Sequence, residues 1–225
     1  MSIEINNVVM KYHQSREPLL KIPQFSIESG AKIALVGRSG SGKSTLLNLI
    51  AGILKPTEGT IKVLNEEITS LSESQRDAFR AKSIGYVFQS FNLLQGFSAK
   101  ENILLAMKFG SNEKNKSEKA ALLLDTVGLS DKADKKPREL SVGEQQRVAI
   151  VRAIANDPKI ILADEPTANL DEENTRIVLE LLFNLTAQTD RTLILVTHEK
   201  EVAERFPTQL NLKTIIQKPQ SEPAL

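Results

Sequence analysis

The feature that most constrains this chain is the run GRSGSGKST at residues 37–45. It satisfies every position of G-x-x-x-x-G-K-[ST]. It stands between a short apolar run (residues 32–36) and a stretch with leucine and isoleucine at helical spacing (residues 43–54). A chain carrying it has to pass from strand to helix around an anion. Gly37, Gly40 and Gly42 let the backbone wrap closely and turn its N–H groups inward, with Arg38, Ser39 and Ser41 filling the loop. The N-terminus of the following helix adds a favourable field for negative charge. Lys43 is expected to reach β- and γ-phosphates, Ser44 to ligate Mg²⁺, and Thr45 to touch a phosphate. A chance glycine-rich turn is the alternative, but it does not explain why strand and helix flank the motif.

The rest of the chain repeats strand, loop and helix. Residues 3–9 alternate and read as a strand. Residues 159–163 and 193–196 are short β-branched runs of the kind buried in parallel sheets. Between them, residues 172–188 carry Ile177, Val178, Leu181, Leu182 and Leu185 on one helical face. This alternation predicts an α/β fold with a parallel sheet covered on both faces. The middle differs. Ser98 and Glu101 form a capping box before a helix at 103–109. Residues 110–117 (GSNEKNKS) read as a polar loop, and residues 120–127 as a helix that Gly128 stops. Helices without strands over about 91–156 suggest a helical lobe inserted into one domain spanning 1–216. Residues 217–225 read as a disordered tail.

Composition narrows the function classes. A chain of 225 residues with 29 basic and 28 acidic side chains has a net charge of +1, which supplies no electrostatic drive toward nucleic acid. No cysteine is present, so disulfides, thiolate metal sites and cysteine nucleophiles are excluded, and a reducing compartment fits. The N-terminus lacks a signal-peptide pattern. No run approaches the ~18 apolar residues that cross a bilayer. If the protein acts on a membrane, another chain is expected to span it.

Residues 160–165 read IILADE, an apolar strand ending in two carboxylates. Acids at strand ends are often merely solvated. Beside a phosphate loop they read as a working pair, with Asp164 holding Mg²⁺ and Glu165 orienting or deprotonating the attacking water.

Further pieces carry a resemblance. Residues 140–147 read LSVGEQQR and resemble LSGGQ followed by a basic residue. Gln89 stands in VFQSFNLL, Asp171 ends NLD at 169–171, His198 stands in LILVTHE, and Tyr12 follows the first strand. In order and spacing over about residues 1–200 the chain resembles ABC ATPase subunits. Within them it looks most like the lipoprotein-releasing, macrolide-export and cell-division subfamily. The resemblance implies a P-loop NTPase core with a parallel-rich sheet, an antiparallel β element near the N-terminus and an inserted α-helical lobe. It implies ATP and Mg²⁺ as cofactors and two subunits packed head to tail as a homodimer, with ATP between the phosphate loop of one and the signature of the other.

Residue roles follow from the same resemblance. Tyr12 stacks on adenine, Gln89 touches the metal and links the nucleotide to the helical lobe, and His198 contacts the γ-phosphate. Ser141, Gly143 and Glu144 face the opposite subunit's nucleotide, and Asp171 hydrogen-bonds across the dimer. Each has a plainer reading: Tyr12 as a surface aromatic, Gln89 as a loop residue, His198 as structural, Asp171 as an N-cap. Ser141 with Glu144 also forms a capping box that starts a helix there. The sequence departs from the usual pattern at Val142, where glycine is common, and at Glu144, often glutamine. Val142 stiffens the loop, and Glu144 is expected to bring negative charge near ATP.

Partners implied are a second ATPase subunit and transmembrane permease subunits, with no nucleic acid, and a place on the cytoplasmic face of the membrane. The apolar side chains Phe91, Leu93, Leu94 and Phe97 are candidates for docking the permease, about half of them packing the lobe instead. Two alternatives stay open. One is a soluble ABC ATPase acting on nucleic acid or ribosomes, against which stand the single phosphate loop and the lack of heptads. The other is a weakly hydrolysing regulatory subunit, against which stand Lys43, Glu165 and His198.

Overall fold

The computed structural model describes residues 1–12, 17–110, 114–187 and 190–216. In chain order its elements are β1 (Ile3–Met10), β2 (Leu20–Ile27), β3 (Lys32–Val36), α1 (Lys43–Ile50), β4 (Glu58–Val63), β5 (Glu66–Glu67), α2 (Glu73–Ser83), β6 (Ile84–Val87), α3 (Ala99–Gly110), α4 (Lys116–Thr126), α5 (Val142–Ile154), β7 (Ile160–Asp164), α6 (Glu172–Ala187), β8 (Thr192–Thr197), α7 (Lys200–Glu204), β9 (Thr208–Asn211) and α8 (Leu212–Ile215). The tail expected at 217–225, and Gln188 at the end of an expected helix, lie outside the described residues.

The first half of the fold is an antiparallel sheet in the order β2-β1-β4-β5. β1 does not keep one alternation throughout. Ile3 and Ile5 face the core, and then Val8 and Met10 do, a shift of phase made by a bulge at Asn6–Val9. Asn7 takes φ +51 at the bulge, a conformation that asparagine tolerates better than most residues. Opposite it stands Gly59, where a Cβ would lie 2.3 Å from the Asn7 carbonyl oxygen. β2 lies at the sheet edge, which is where its Pro23 can be accommodated.

The second sheet, in the order β6-β7-β8-β3-β9, is parallel throughout. Both its faces are covered, which explains the unbroken apolar runs. Ile160, Leu162, Ile194 and Val196 join a core with α1 and the antiparallel sheet. Their neighbours Ile161, Ala163, Leu193 and Leu195 join a second core with Val178, Leu179 and Leu182 of α6. The two sheets are tied by a buried hydroxyl pair, as Thr192 Oγ1 donates to Ser2 Oγ (3.1 Å) and accepts from the Gly30 N–H (3.1 Å).

Helix α1 stops four residues short of the expected Leu54. Gly52 takes φ +66, and the N–H groups of Ile53 and Leu54 both return to the Asn48 carbonyl (2.9 and 3.1 Å). The apolar run continues past the helix because Leu54 packs on the core from that turn. Residues 116 and 117, expected in a loop, open α4 instead.

Among the described residues between β6 and β7, the regular elements are helices and short 3₁₀ turns. The Ser98–Glu101 capping box forms ahead of α3, with bonds of 2.7 and 3.2 Å. Ile103, Met107, Leu124, Val148 and Val151 share a third core. α5 belongs to two cores, because Ile150 and Ile154 on its other face pack with Val87 and Ile161 of the parallel sheet. The helix that begins at the signature residues is therefore bedded on the sheet whose strand ends carry the acids.

Candidate nucleotide and catalytic site

The chain leaves β3 at Val36 and enters α1 at Lys43 through the glycine-rich loop. Gly40 takes φ +71 with open space beside it, so its glycine is a matter of conformation. Gly42 takes φ +97, and a Cβ there would also lie 2.7 Å from Leu20 Cδ2. As N-cap of α1, Gly42 provides no side-chain acceptor, and no acid stands in the first turn. The first N–H groups and the positive end of the helix dipole are thus unopposed by any side chain of α1. Lys43 is buried, and its Nζ donates to the carbonyls of Gly37 (2.9 Å) and Arg38 (3.1 Å). It faces Glu165 Oε1 at 3.8 Å. Ser39, Gly40, Ser44, Thr45, Gln89 and Glu165 help to line one hollow of about 260 Å³ around Lys43.

The acids come from the end of β7. Asp164 Oδ1 accepts from Ser44 Oγ at 3.0 Å, across 120 residues of sequence. Burial pushes the Asp164 carboxyl above the usual carboxylate range; the Ser44 hydrogen bond opposes this, and the negative charge of Glu165 adds to it. Burial, with the charge of Asp164 second, also pushes up the Tyr86 phenol, which donates to Asn48 Oδ1 (3.0 Å). Glu165 takes φ +45 and its N–H bonds the Val196 carbonyl of β8 (3.0 Å). A non-glycine residue held there costs about 1–3 kcal/mol, and the conformation turns the carboxylate toward Lys43. Its other oxygen, Oε2, lies 3.1 Å from His198 Nδ1 at the end of β8.

Mg²⁺ favours a few oxygen ligands completed by phosphates and water. The Ser44 hydroxyl and Asp164 carboxylate, already within hydrogen-bond distance of each other, fit that demand. Gln89 lines the same hollow.

The signature residues stand elsewhere. None of Ser141, Gly143, Glu144 and Asp171 lines the hollow around Lys43. Ser141 caps α5: its Oγ accepts from the Glu144 N–H (3.3 Å), and its own N–H donates to Glu144 Oε2 (2.7 Å). The remaining oxygen of Glu144 is paired with Lys132 Nζ. That pairing first, and the Ser141 N–H second, hold the Glu144 carboxyl below its usual range. The negative charge expected of Glu144 is thus paired within the chain with Lys132 and the Ser141 N–H. Val142 is 46% exposed, whereas Gly143 is buried so closely that a Cβ would lie 2.3 Å from Asn174 Oδ1. Asp171 caps α6, with Oδ1 accepting from the Asn174 N–H (2.8 Å) and the Asn174 side chain (2.9 Å). Tyr12 lines a neighbouring hollow with Leu54 and Pro56, and its hydroxyl lies 3.5 Å from Thr45 Oγ1.

The loop after Gln89 is held by two residues that sequence reasoning passed over. Arg152, in the last turn of α5, donates to the carbonyls of Phe91 (2.7 Å) and Asn92 (2.6 Å), both in left-handed conformation. Burial lowers its pKa to about 10, so it stays charged at neutral pH. Asn102 of α3 bonds the Leu94 N–H and the carbonyls of Leu94, Phe97 and Ser98. An arginine at a helix end and an asparagine in a helix give no local sign of such partners. Leu93 is buried and Phe91 packs inward, while Leu94 and Phe97 are each 44% exposed. Nearby, a groove of about 550 Å³ is lined by Tyr86, Phe88, Asn92, Phe109 and Arg152, among others.

Comparison with known proteins gives the same picture from outside. A family model described as ABC transporter matches residues 20–168. The lipoprotein-releasing system ATP-binding protein LolD of Hydrogenovibrio crunogenus is 39% identical, over 93% of each chain. The macrolide export ATP-binding/permease protein MacB of Rhodopirellula baltica is 41% identical over 87% of this chain and 29% of its own length. Among solved structures, the dimeric ATP-binding cassette MJ0796, in a post-hydrolysis state with ADP and Pi, superposes with a TM-score of 0.87 at 35% identity, covering 99% of this chain and 100% of that one.

Proposed function

The chain belongs to the ABC transporter ATP-binding family and is an ATP hydrolase, and from that premise we propose that it energises a separate membrane permease by ATP-driven closure of two copies. The observation that carries this reading is the convergence of Lys43, the Ser44–Asp164 pair and the Glu165–His198 pair at the C-terminal ends of β3, β7 and β8. Such strand ends are where open α/β sheets bind ligands.

The reaction is ATP + water → ADP + phosphate. Catalysis is mainly positioning and charge neutralisation in a pre-arranged site. Lys43 leaves its loop carbonyls for the β- and γ-phosphate oxygens. Ser44 and Asp164, with Gln89 beside them, would hold Mg²⁺, which would supply charge neutralisation to the phosphates. Glu165 orients the attacking water and takes its proton, and His198, with Nδ1 on Glu165, sets the carboxylate's direction beside the γ-phosphate. Tyr12 offers an exposed ring to adenine next to Thr45.

Ser141 and Gly143 complete the site of a second copy. Supporting this are their absence from the hollow around Lys43 and the dimeric state of the MJ0796 cassette. The N–H groups of Val142 and Gly143 have no intrahelical acceptor, because the first backbone bond of α5 is Gln145 N–H to the Ser141 carbonyl.

The permease docks in the groove lined by Phe88 and Phe109, to which Asn92 of the loop after Gln89 also contributes, on the cytoplasmic face of the membrane. Exposed apolar side chains gathered around a groove are what such docking uses. No helix among the described residues is long and apolar enough to cross a membrane. The relatives' names, a lipoprotein-releasing system and a macrolide export ATP-binding/permease protein, support export or lipoprotein release as the work done.

Two experiments test the reading. Glu165→Gln is expected to retain ATP binding and lose steady-state hydrolysis by about 100-fold or more; rapid turnover would remove Glu165 from the chemistry. Purification of the tagged full chain from native membranes is expected to bring down a stoichiometric multi-spanning protein. Recovery with ribosomal or DNA-associated proteins alone would defeat the permease reading.

A further inference from the structure

We propose that Gln146 is a positioning residue for Glu165: from inside α5 it holds the Pro166 carbonyl and thereby fixes the backbone turn that aims the carboxylate. Gln146 is fully buried, and its Nε2 donates to the Pro166 oxygen at 2.7 Å across 20 residues of sequence. Only the NH₂ group can donate to a carbonyl, so the orientation of the amide is chemically fixed. The consequence is that Oε1 points into the protein with no hydrogen-bond partner among the described residues. A buried amide that satisfies one atom and strands the other is a poor device for stability. An apolar side chain of the same length would remove the stranded acceptor along with the bond. The value of glutamine here lies in where it places Pro166.

Pro166 follows a non-glycine residue of the site whose backbone is in the left-handed region. Glu165, at φ +45, needs its surroundings to hold it there. The segment is gripped from three elements. β8 takes the Glu165 N–H through the Val196 carbonyl (3.0 Å). The turn before α7 takes Thr167, whose Oγ1 donates to Glu199 Oε1 (2.9 Å). α5 takes Pro166 through Gln146. Only the third grip comes from the helix that starts at Ser141. A shift of that helix, when its N-terminus meets a second copy's nucleotide, therefore reaches the carboxylate through this hydrogen bond, two peptide units away from it, beside the apolar packing of Ile150 and Ile154 on β7.

The inference rests on Glu165 acting on the attacking water. The test uses the full chain with Gln146→Met, which keeps length and volume and lacks both donor and stranded acceptor. Gln146→Leu serves as a second variant and Glu165→Gln as a parallel control. Expected for Gln146→Met are a kcat lower by about 10-fold with KM for ATP within about two-fold of wild type. Its Tm is expected within about 3 °C of wild type or above it. Amide hydrogen exchange is expected to quicken at the N–H groups of Glu165 and Ala168 and to stay unchanged in α1.

If Glu165→Gln hydrolyses like wild type, the reading of Glu165 fails. If Glu165→Gln is inactive while Gln146→Met keeps wild-type kcat and exchange, only the positioning role falls. If both Gln146 variants melt far below wild type, or lose activity only in proportion to folded protein, Gln146 is a packing residue and the proposal is overturned.

Discussion

Helices α1 and α5 both begin beside a glycine, yet they complete their N-termini in opposite ways. At α1, Gly42 contributes no acceptor and the first turn has no acid, so nothing on that helix competes with an incoming phosphate. The hollow beside it also holds Ser44, Gln89 and Glu165. At α5, Ser141 and Glu144 close a reciprocal cap, and Lys132 neutralises the acid. The first terminus is left open toward a hollow lined by residues of the same chain. The second is finished as a helix end, and in the proposed function it becomes a phosphate contact only when another copy presents one. The difference teaches that one helix terminus can be left open to an anion while another, also beside a glycine, is closed by its own side chains.

The comparison is broken most severely at Lys43. Lys43→Ala is expected to reduce ATP binding and hydrolysis by roughly 100-fold or more in the isolated chain, measurable by nucleotide titration and phosphate release. Ser141→Ala is expected to leave nucleotide binding by the single chain intact while lowering ATP-driven dimerisation. Equal losses of monomer binding in both variants would collapse the distinction.

Asp164→Asn sharpens the comparison from the side of stability. Burial raises the Asp164 pKa, so the folded state holds a proton that the unfolded state has released. As pH rises from the ordinary aspartate pKa of about 3.9 through the raised value, this group subtracts stability, and the penalty remains in full above that window. Asparagine keeps an acceptor for Ser44 and carries no charge. The variant is expected to show a higher Tm than wild type at pH 7, to lose the part of the pH slope owed to this group, and to lose Mg²⁺-dependent hydrolysis. A lower Tm at pH 7 would mean the carboxylate stabilises the fold.

At the cap itself, Ser141→Ala is expected to cost about 1 kcal/mol, a fall of about 2–4 °C in Tm for a chain of this size. Smallest is Val142→Gly. Val142 is exposed in the first turn of α5, so thermal stability is expected to change by less than about 1 kcal/mol. Nucleotide-driven dimerisation, followed by size-exclusion chromatography with ATP and the Glu165→Gln background, is expected to rise modestly as the first turn of α5 loosens. No change would make the valine silent.

Local pattern carried some of the molecule well. β3 coincides with its apolar run, β7 and β8 fall within a residue of theirs, and the Ser98 and Ser141 capping boxes form where an i,i+3 spacing says they should. Local pattern failed where partners are distant. β9, TQLN, has no apolar period and exists because β3 needs a neighbour at the sheet edge. β2 contains Pro23, which argues against a strand until its edge position is known. α1 overran in the sequence reading because apolar residues continue past Gly52, and only the return of Ile53 and Leu54 to the Asn48 carbonyl ends the helix.

The sequence by itself determined the phosphate loop, the acidic strand end and the capped signature helix, because each depends on residues a few positions apart whose geometry the backbone fixes. Tertiary structure alone decided that Ser44 meets Asp164 across 120 residues, that Lys132 neutralises Glu144, and that Gln146 and Arg152 hold the backbone at Pro166 and at Phe91. Glutamine, arginine and lysine can bond to many groups along a chain. Which one each finds is set by where the cores of the two sheets and the helical layer bring the chain back to itself.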